Sequence, residues 1–369
     1  LGPEKLGIYS IVTALVIIVT DTVDIAINSA IVKFGLYKEK DSYLKFAFIL
    51  KIIFGSFFSI LIFLGSGIFS LLLRQNLNEF LKIAALWILA NFLFRFPKAF
   101  FQSQKKFLRD ALMDLSLSLI RMIITLLIIY LNKFSISALI YIQITITFLI
   151  AFGAIRIISL DFLRAEINEK IIKKFFSFHG WLTLGFILAA IHSRIDNFLL
   201  MHFVGPTVVG FYQAGYRFFL PVSQFASILS TVFAPRFASF QTQIQVKNYL
   251  KKATMLSGAL ASLLLLAIAF LPWLIKIFYG ERYLSAILPT QILAIGFAAF
   301  IFTVPFTSCL IYRMGKTNFF ALLNLLQLIL IIVLDLLLIP KFAANGAALA
   351  MTLTLFLINL LTIFWVIKQ

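Results

Sequence analysis

An all-helical integral membrane protein, built as two parallel six-helix bundle repeats around a central cavity, is predicted from three observations. Hydrophobic residues make up 62% of the 369 positions and charged residues only 12%, with a mean hydropathy of +1.05. No soluble core of this size could enclose that much apolar surface. The apolar stretches run for about 20 residues without two-residue alternation, so the backbone closes its hydrogen bonds within helices rather than around a barrel. The chain also repeats itself: residues 1–10, LGPEKLGIYS, return 203 positions later as VGPTVVGFYQ at 204–213, and NSAIVKF at 28–34 lies over TVFAPRF at 231–237 in the same register. Further on the offset is 208, with Pro97 against Pro305 and NKF at 132–134 against PKF at 340–342. Two copies in one orientation are the parallel repeat related by an axis along the membrane normal.

Eleven spans follow in order: 7–32, 44–73, 80–101, 108–131, 135–158, 181–203, 209–233, 253–278, 286–312, 317–339 and 344–367. Each is a continuous apolar run bounded by charged, Gly or Pro positions. Eleven is odd for a duplicated chain. The second copy has a helix, 181–203, before its Gly-Pro turn, whereas the first copy begins on the turn, so a parent of six plus six helices with the first one missing is expected. Residues 1–160 then form an N-terminal bundle of five helices, 161–174 a cytoplasmic linker and 175–369 a C-terminal bundle of six.

The 32 Lys and Arg sort by side. Nineteen, among them Lys38, Lys105, Lys106, Arg109, Lys170, Lys173, Arg236, Lys251 and Arg313, fall on one set of connections; seven, Lys5, Arg74, Lys82, Lys133, Lys276, Arg282 and Lys341, fall on the other. The richer side is cytoplasmic by the positive-inside rule, and both Gly-Pro turns face outward. The basic linker touches anionic lipid. The net charge of +18 is thus used for topology, and no nucleic-acid partner is expected.

Six cations, Lys51, Arg95, Lys98, Arg121, Arg194 and Arg217, lie inside spans, where each must face protein or a water-filled cavity. Gln213, Arg217, Gln224, Ser227 and Thr231 fall on one helical face. In the first copy Asp21, Asp24 and Asn28 stand over Gln224, Ser227 and Thr231, so equivalent helices present polar stripes toward one cavity, acidic on one wall and basic on the other. Further stripes are Asn91, Arg95, Lys98 and Gln102; Asp114, Ser118, Arg121 and Thr125; His192, Ser193 and Asp196; and Asn324, Gln327 and Asp335. For the uncharged members, interhelical hydrogen bonding accounts for the pattern. For Arg217, Arg95, Asp21, Asp24 and Asp196 the desolvation cost favours a lined cavity, with buried Asp-Arg pairs as the rival reading. Asp196 lies about 15 residues into its span, near the midplane by the ~1.5 Å rise. His192 is one turn away on the same face, an arrangement for passing a proton or, equally, for one structural hydrogen bond. His179 and His202 lie at span ends and carry no signal.

Enzyme chemistry finds no seat. There is no nucleotide loop, HExxH or GxSxG motif, a single cysteine, Cys309, allows no disulfide, and no cofactor or metal is expected.

The Gly-Pro turn followed by G-[IF]-Y, the run from Arg194 to Leu200 leading into VGPTVVGFYQAGYRFFLP, and GKTNFFALLNLLQLILIIVLDLLLIPKFAANGAALA at 315–350 together resemble the polysaccharide flippase family of the multidrug/oligosaccharidyl-lipid/polysaccharide exporter superfamily. The resemblance covers the whole chain. It implies alternating access of a central cavity and export of undecaprenyl-pyrophosphate-linked oligosaccharide units for O-antigen, capsule or other surface polysaccharide in a bacterial or archaeal cytoplasmic membrane. The implied partners are that lipid-linked substrate, membrane lipids, H⁺ or Na⁺, and other polysaccharide-assembly proteins. Within it Arg217 matches the family's Tyr-Arg after the second turn and Asp196 its seventh-helix aspartate. The expected substrate site is Arg217, Arg95, Lys98, Gln224, Asp21 and Asp24, with Arg giving bidentate contacts to a pyrophosphate; the expected coupling site is Asp196 with His192. An ion-coupled multidrug exporter of the same fold and a membrane-embedded glycan polymerase remain as alternatives, the latter disfavoured because every outer loop is short.

Overall fold

The computed structural model describes residues 2–35, 39–158, 160–177 and 181–368; Lys38 and His179, named above, lie outside them. Fourteen α-helices and short tighter turns carry the described chain, with no strand among them. They are α1 (Pro3–Phe34), α2 (Lys40–Leu72), α3 (Asn78–Ser103), α4 (Phe107–Tyr130), α5 (Ile136–Ile157), α6 (Glu169–Ser177), α7 (Trp181–His192), α8 (Ile195–Phe203), α9 (Pro206–Tyr216), α10 (Leu220–Ser239), α11 (Gln243–Leu266), α12 (Leu271–Tyr279), α13 (Ile287–Ser308) and α14 (Thr317–Lys368). Ten helical stretches among the described residues are long and apolar enough to cross a bilayer. The last, α14, has 52 residues and breaks at Ala343, whose φ of 51° is outside the helical region, so it supplies two spans separated where 317–339 and 344–367 were expected to part. Pro340 and the close approach of Gly346 to the Leu338 carbonyl hold that corner. The long helices carry exposed Leu, Ile and Phe, among them Leu64 and Leu71 at 75% and 79% exposure, a surface suited to acyl chains and not to water.

Local chemistry explains where helices stop. α2, α3 and α4 each end two residues before a left-handed Arg74, Lys105 or Asn132 (φ 53°, 56° and 55°), and the amides two positions past each helix cap return to carbonyls five residues back, Gln75 to Ser70, Lys106 to Phe101 and Lys133 to Ile128. These are paired Schellman endings that satisfy terminal carbonyls at the membrane boundary. Thr242 and Gln245 form a capping box at the start of α11.

The chain divides into two compact units, Val12–Thr183 and Leu184–Gln369 together with Leu1–Ile11. In the first, α3 packs along α2 and α5, and Phe34 stacks on Tyr43 with ring centres 4.4 Å apart. The polar stretch 161–174 is not a free tether: a turn at Leu160–Arg164 and the amphipathic α6 insert Phe162, Ile171 and Phe175 into this core, and Lys45 donates to the Ala165 carbonyl at 2.9 Å. In the second unit α13 packs against α14 and α11 around Phe233, Phe306 and Leu323.

The repeat has a direct structural expression inside this second unit. A Cβ added to Gly7 would strike the carbonyl of Pro206, and one added to Gly210 would strike the carbonyl of Pro3. Gly7 and Gly210 are repeat equivalents, as are Pro3 and Pro206, so the first turns of α1 and α9 cross through a reciprocal backbone contact that only glycine permits.

Candidate functional site

Each unit holds its own polar interior, and the two differ in charge. In Val12–Thr183, α1 carries Asp21, Asp24 and Asn28 on successive turns of one face. Asp24 is fully buried, and Lys51, equally buried on α2, donates to its Oδ1; Asn28 Nδ2 donates to its Oδ2 at 2.8 Å, and Lys51 also reaches Asn28 Oδ1 at 2.8 Å. Arg95 on α3 donates to Asp21 Oδ1 at 2.5 Å and lies 3.8 Å from Asp24. One turn on, Lys98 lies 3.2 Å from Asp110 and is paired with Asp114, both on α4, while Gln102 donates to Asp110 at 2.8 Å. Arg121 donates to Thr147 at 2.7 Å. A cavity of about 460 Å³ beside this network is lined by Asn28, Asn91, Arg95, Lys98, Gln102 and Asp114 among others, and by Trp87, whose buried indole N–H has no hydrogen-bond partner.

The expected cations Arg95 and Lys98 are therefore brought to a cavity, but with carboxylates already on them. Both are held in ion pairs, part-buried for Arg95 with Asp21 and exposed for Lys98 with Asp114. Lys51 was counted among the in-span cations yet placed on no stripe, and Asp110 was not singled out at all. The available signals are a cation more than two turns inside the apolar part of its helix, which must find a counter-charge, and the four-residue spacing of Asp110 from Asp114.

The second unit breaks its helix where sequence periodicity ran on. α7 ends at His192, a turn occupies Ser193 and Arg194, and α8 starts afresh at Ile195. Asp196 consequently sits in the first turn of a new helix, where a carboxylate faces free amides. It accepts from the Asn197 amide at 2.7 Å, the Asn197 side chain at 3.0 Å and the Tyr212 hydroxyl, and Gln213 extends the chain to Asn197 Oδ1 at 2.5 Å. The expected contact with His192 is not made, because the break removes the one-turn relation. His192 Nδ1 is buried without a partner, and Arg194 lies over the Tyr216 ring at 6.0 Å. Asp335, named in a stripe but given no role, is fully buried with both carboxyl oxygens unpartnered.

Arg217 begins the tightened turn Arg217–Phe219 that joins α9 to α10. Its guanidinium reaches the Ser10 hydroxyl at 3.5 Å, and among the described residues no carboxylate lies within ion-pair distance of it, in contrast to Arg95 and Lys98. Gln224 is exposed. A second cavity, of about 500 Å³, lies within this unit and includes His192, Ser227, Thr231 and Gln327 in its wall. Arg217 and Gln224 line neither cavity. Thr231 and its repeat equivalent Asn28 do, each in its own unit.

Residues 1–288 match the family model described as polysaccharide biosynthesis protein. The chain belongs to that family. A protein of Shigella flexneri named as an O-antigen transporter is 24% identical over 195 residues, which is 52% of this chain and 46% of that relative, so the match spans about half of either protein. Three solved structures share the fold: an inward-facing multidrug resistance MATE family transporter of the MOP superfamily (TM-score 0.82, 14% identity, 100% of this chain and 90% of that one); the lipid II flippase MurJ (0.80, 18%, 100% and 82%); and a MOP superfamily transporter from Pyrococcus furiosus (0.71, 13%, 99% and 87%). The architecture of this polysaccharide biosynthesis family member is thus that of MOP transporters, and it is a multi-pass membrane protein.

Proposed function

We propose that the protein flips polyprenyl-pyrophosphate-linked oligosaccharides across the cytoplasmic membrane by alternating access of its two repeats. The observation that carries this reading is the combination of a polysaccharide biosynthesis family with a chain that is almost entirely membrane helix: a membrane-spanning member contributes by moving an intermediate. Similarity to an O-antigen transporter supports the same cargo class. Arg217, a half-buried cation with no carboxylate within ion-pair distance among the described residues, is the proposed pyrophosphate contact, since a guanidinium not already paired with a carboxylate gains most from a dianion. Arg95 and Lys98 are proposed to join when the cargo displaces Asp21 and Asp114, and Gln224, Asp24 and the remaining stripe to line the passage.

The test is a strain deleted for this gene. A polyprenyl-pyrophosphate glycan should accumulate on the cytoplasmic side, and the full-length wild-type gene should clear it. Arg217→Ala should fail to clear it while reaching the membrane in normal amount, and Arg217→Lys should recover part of the export because bidentate geometry is lost. Absence of any lipid-linked intermediate would refute the cargo; full complementation by the alanine variant would refute the residue.

Asp196 is proposed as the seat of H⁺ or Na⁺ coupling, with its Tyr212 and Asn197 partners holding the carboxylate and His192 facing the nearby cavity. Flipping of a labelled polyprenyl-pyrophosphate glycan in proteoliposomes should respond to an imposed proton or sodium gradient in wild type and lose that response in Asp196→Asn. A gradient response unchanged in the variant would leave Asp196 a helix-start hydrogen-bond acceptor only.

A further inference from the structure

Among the described residues, the wall of the cavity within Leu184–Gln369 contains no Asp, Glu, Lys or Arg, although this bundle holds Asp196, Asp335, Arg194 and Arg217. What it offers instead is aromatic faces and uncharged polar groups. Tyr216 meets Phe297 edge-on at 5.7 Å and Phe297 meets Phe300 at 6.3 Å, forming one continuous aromatic side. Facing them are uncharged hydrogen-bonding side chains, among them Asn324, Gln327, Asn359, Ser227, Thr231 and His192. Side chains of this kind both donate and accept hydrogen bonds.

Charge and shape select the ligand class. A phosphate would require cations in the wall, and a lipophilic cation would require carboxylates; among the described residues the wall has neither. An acyl chain would desolvate these polar side chains and offer no hydrogen bond in return. A sugar ring suits such a wall, because its hydroxyls both donate and accept, while its C–H face rests on an aromatic ring. The volume of about 500 Å³ falls in the ~300–1,000 Å³ range of small-ligand sites. We infer that this cavity is a binding site for uncharged sugar residues, the glycan part of the cargo rather than its pyrophosphate. This rests on the proposed cargo class and adds where its sugars are held.

Ser227 lies exposed on the cavity wall and native Cys309 is fully buried, so Ser227→Cys introduces an addressable thiol. In nanodiscs, its maleimide labelling should be slowed by the neutral tetrasaccharide lacto-N-neotetraose at millimolar concentration and left unchanged by inorganic pyrophosphate or tetraphenylphosphonium. Adding Gln327→Leu, of similar size, should raise the protecting concentration about 2- to 10-fold, the range for one lost hydrogen bond; Asn359→Leu serves if that variant is not recovered folded. No protection by the tetrasaccharide, or protection by pyrophosphate or the phosphonium cation instead, overturns the assignment. If that happens while the deletion strain still accumulates a lipid-linked glycan, the cargo stands and its sugars are held elsewhere. If the tetrasaccharide protects but no such lipid accumulates, the sugar site stands and the cargo reading falls.

Discussion

Replacing Asp24 with alanine is expected to lower the stability of the N-terminal bundle by about 3–5 kcal/mol and to deplete the protein from the membrane fraction. Asp24 and Lys51 are both fully buried, so the change strands an ammonium in a low-dielectric interior. Asn28 Oδ1 would be its remaining acceptor. The penalty is that of an uncompensated charge, not the net worth of the ion pair, and the two can be separated. Asp24→Leu combined with Lys51→Met removes both charges and should recover most of the melting temperature, because a buried pair replaced by apolar side chains of similar size is close to neutral. Melting in detergent followed by size-exclusion chromatography reads both variants. A single alanine variant that melts with wild type would show that Lys51 reaches water or another acceptor, and the buried network would have to be redrawn.

Gly210→Ala and Gly7→Ala should each destabilise the C-terminal unit by roughly 1–3 kcal/mol, the usual cost of overpacking, at the upper end because the obstacle is a carbonyl that cannot rotate aside. The added methyl at either position lands on the backbone oxygen of the other repeat's proline. Since the two contacts are reciprocal, the double variant should cost less than the two singles together: once one change has pushed α1 from α9, the other glycine is relieved. Gly67→Ala in α2 and Gly153→Ala in α5 are the controls. Nothing lies within 4 Å of a Cβ at either, and both should be neutral or stabilising by up to about 1 kcal/mol through helix propensity. Equal melting of Gly210→Ala and Gly67→Ala would dismiss the crossing as a structural contact.

Much of this protein could be read from its chain. Composition dictates membrane helices because burial in lipid needs no tertiary detail, and the corner between residues 339 and 344 was legible because Pro340 cannot continue a helix cleanly. The Gly-Pro repeat identified the two glycines, although not that each makes room for the proline carbonyl of the other repeat. Of the stripe residues, Asn28, Arg95 and Lys98 line a cavity in one unit and Thr231 and Gln327 a cavity in the other.

What the stripes could not say is which opposite charge each ion meets. Lys51 and Asp24 are 27 residues apart and Arg95 and Asp21 are 74 apart, so their pairing belongs to the packing of α1, α2 and α3 and has no period. The same is true of Asp196. Its distance from His192 was correct along an ideal helix, but the turn at Ser193 and Arg194 re-aims the carboxylate toward Tyr212 on α9. Helical spacing is a property of neighbours three or four residues away, whereas a charge or polar group removed from water takes whichever partner the packed helices bring within about 3 Å, and only the tertiary structure decides which that is.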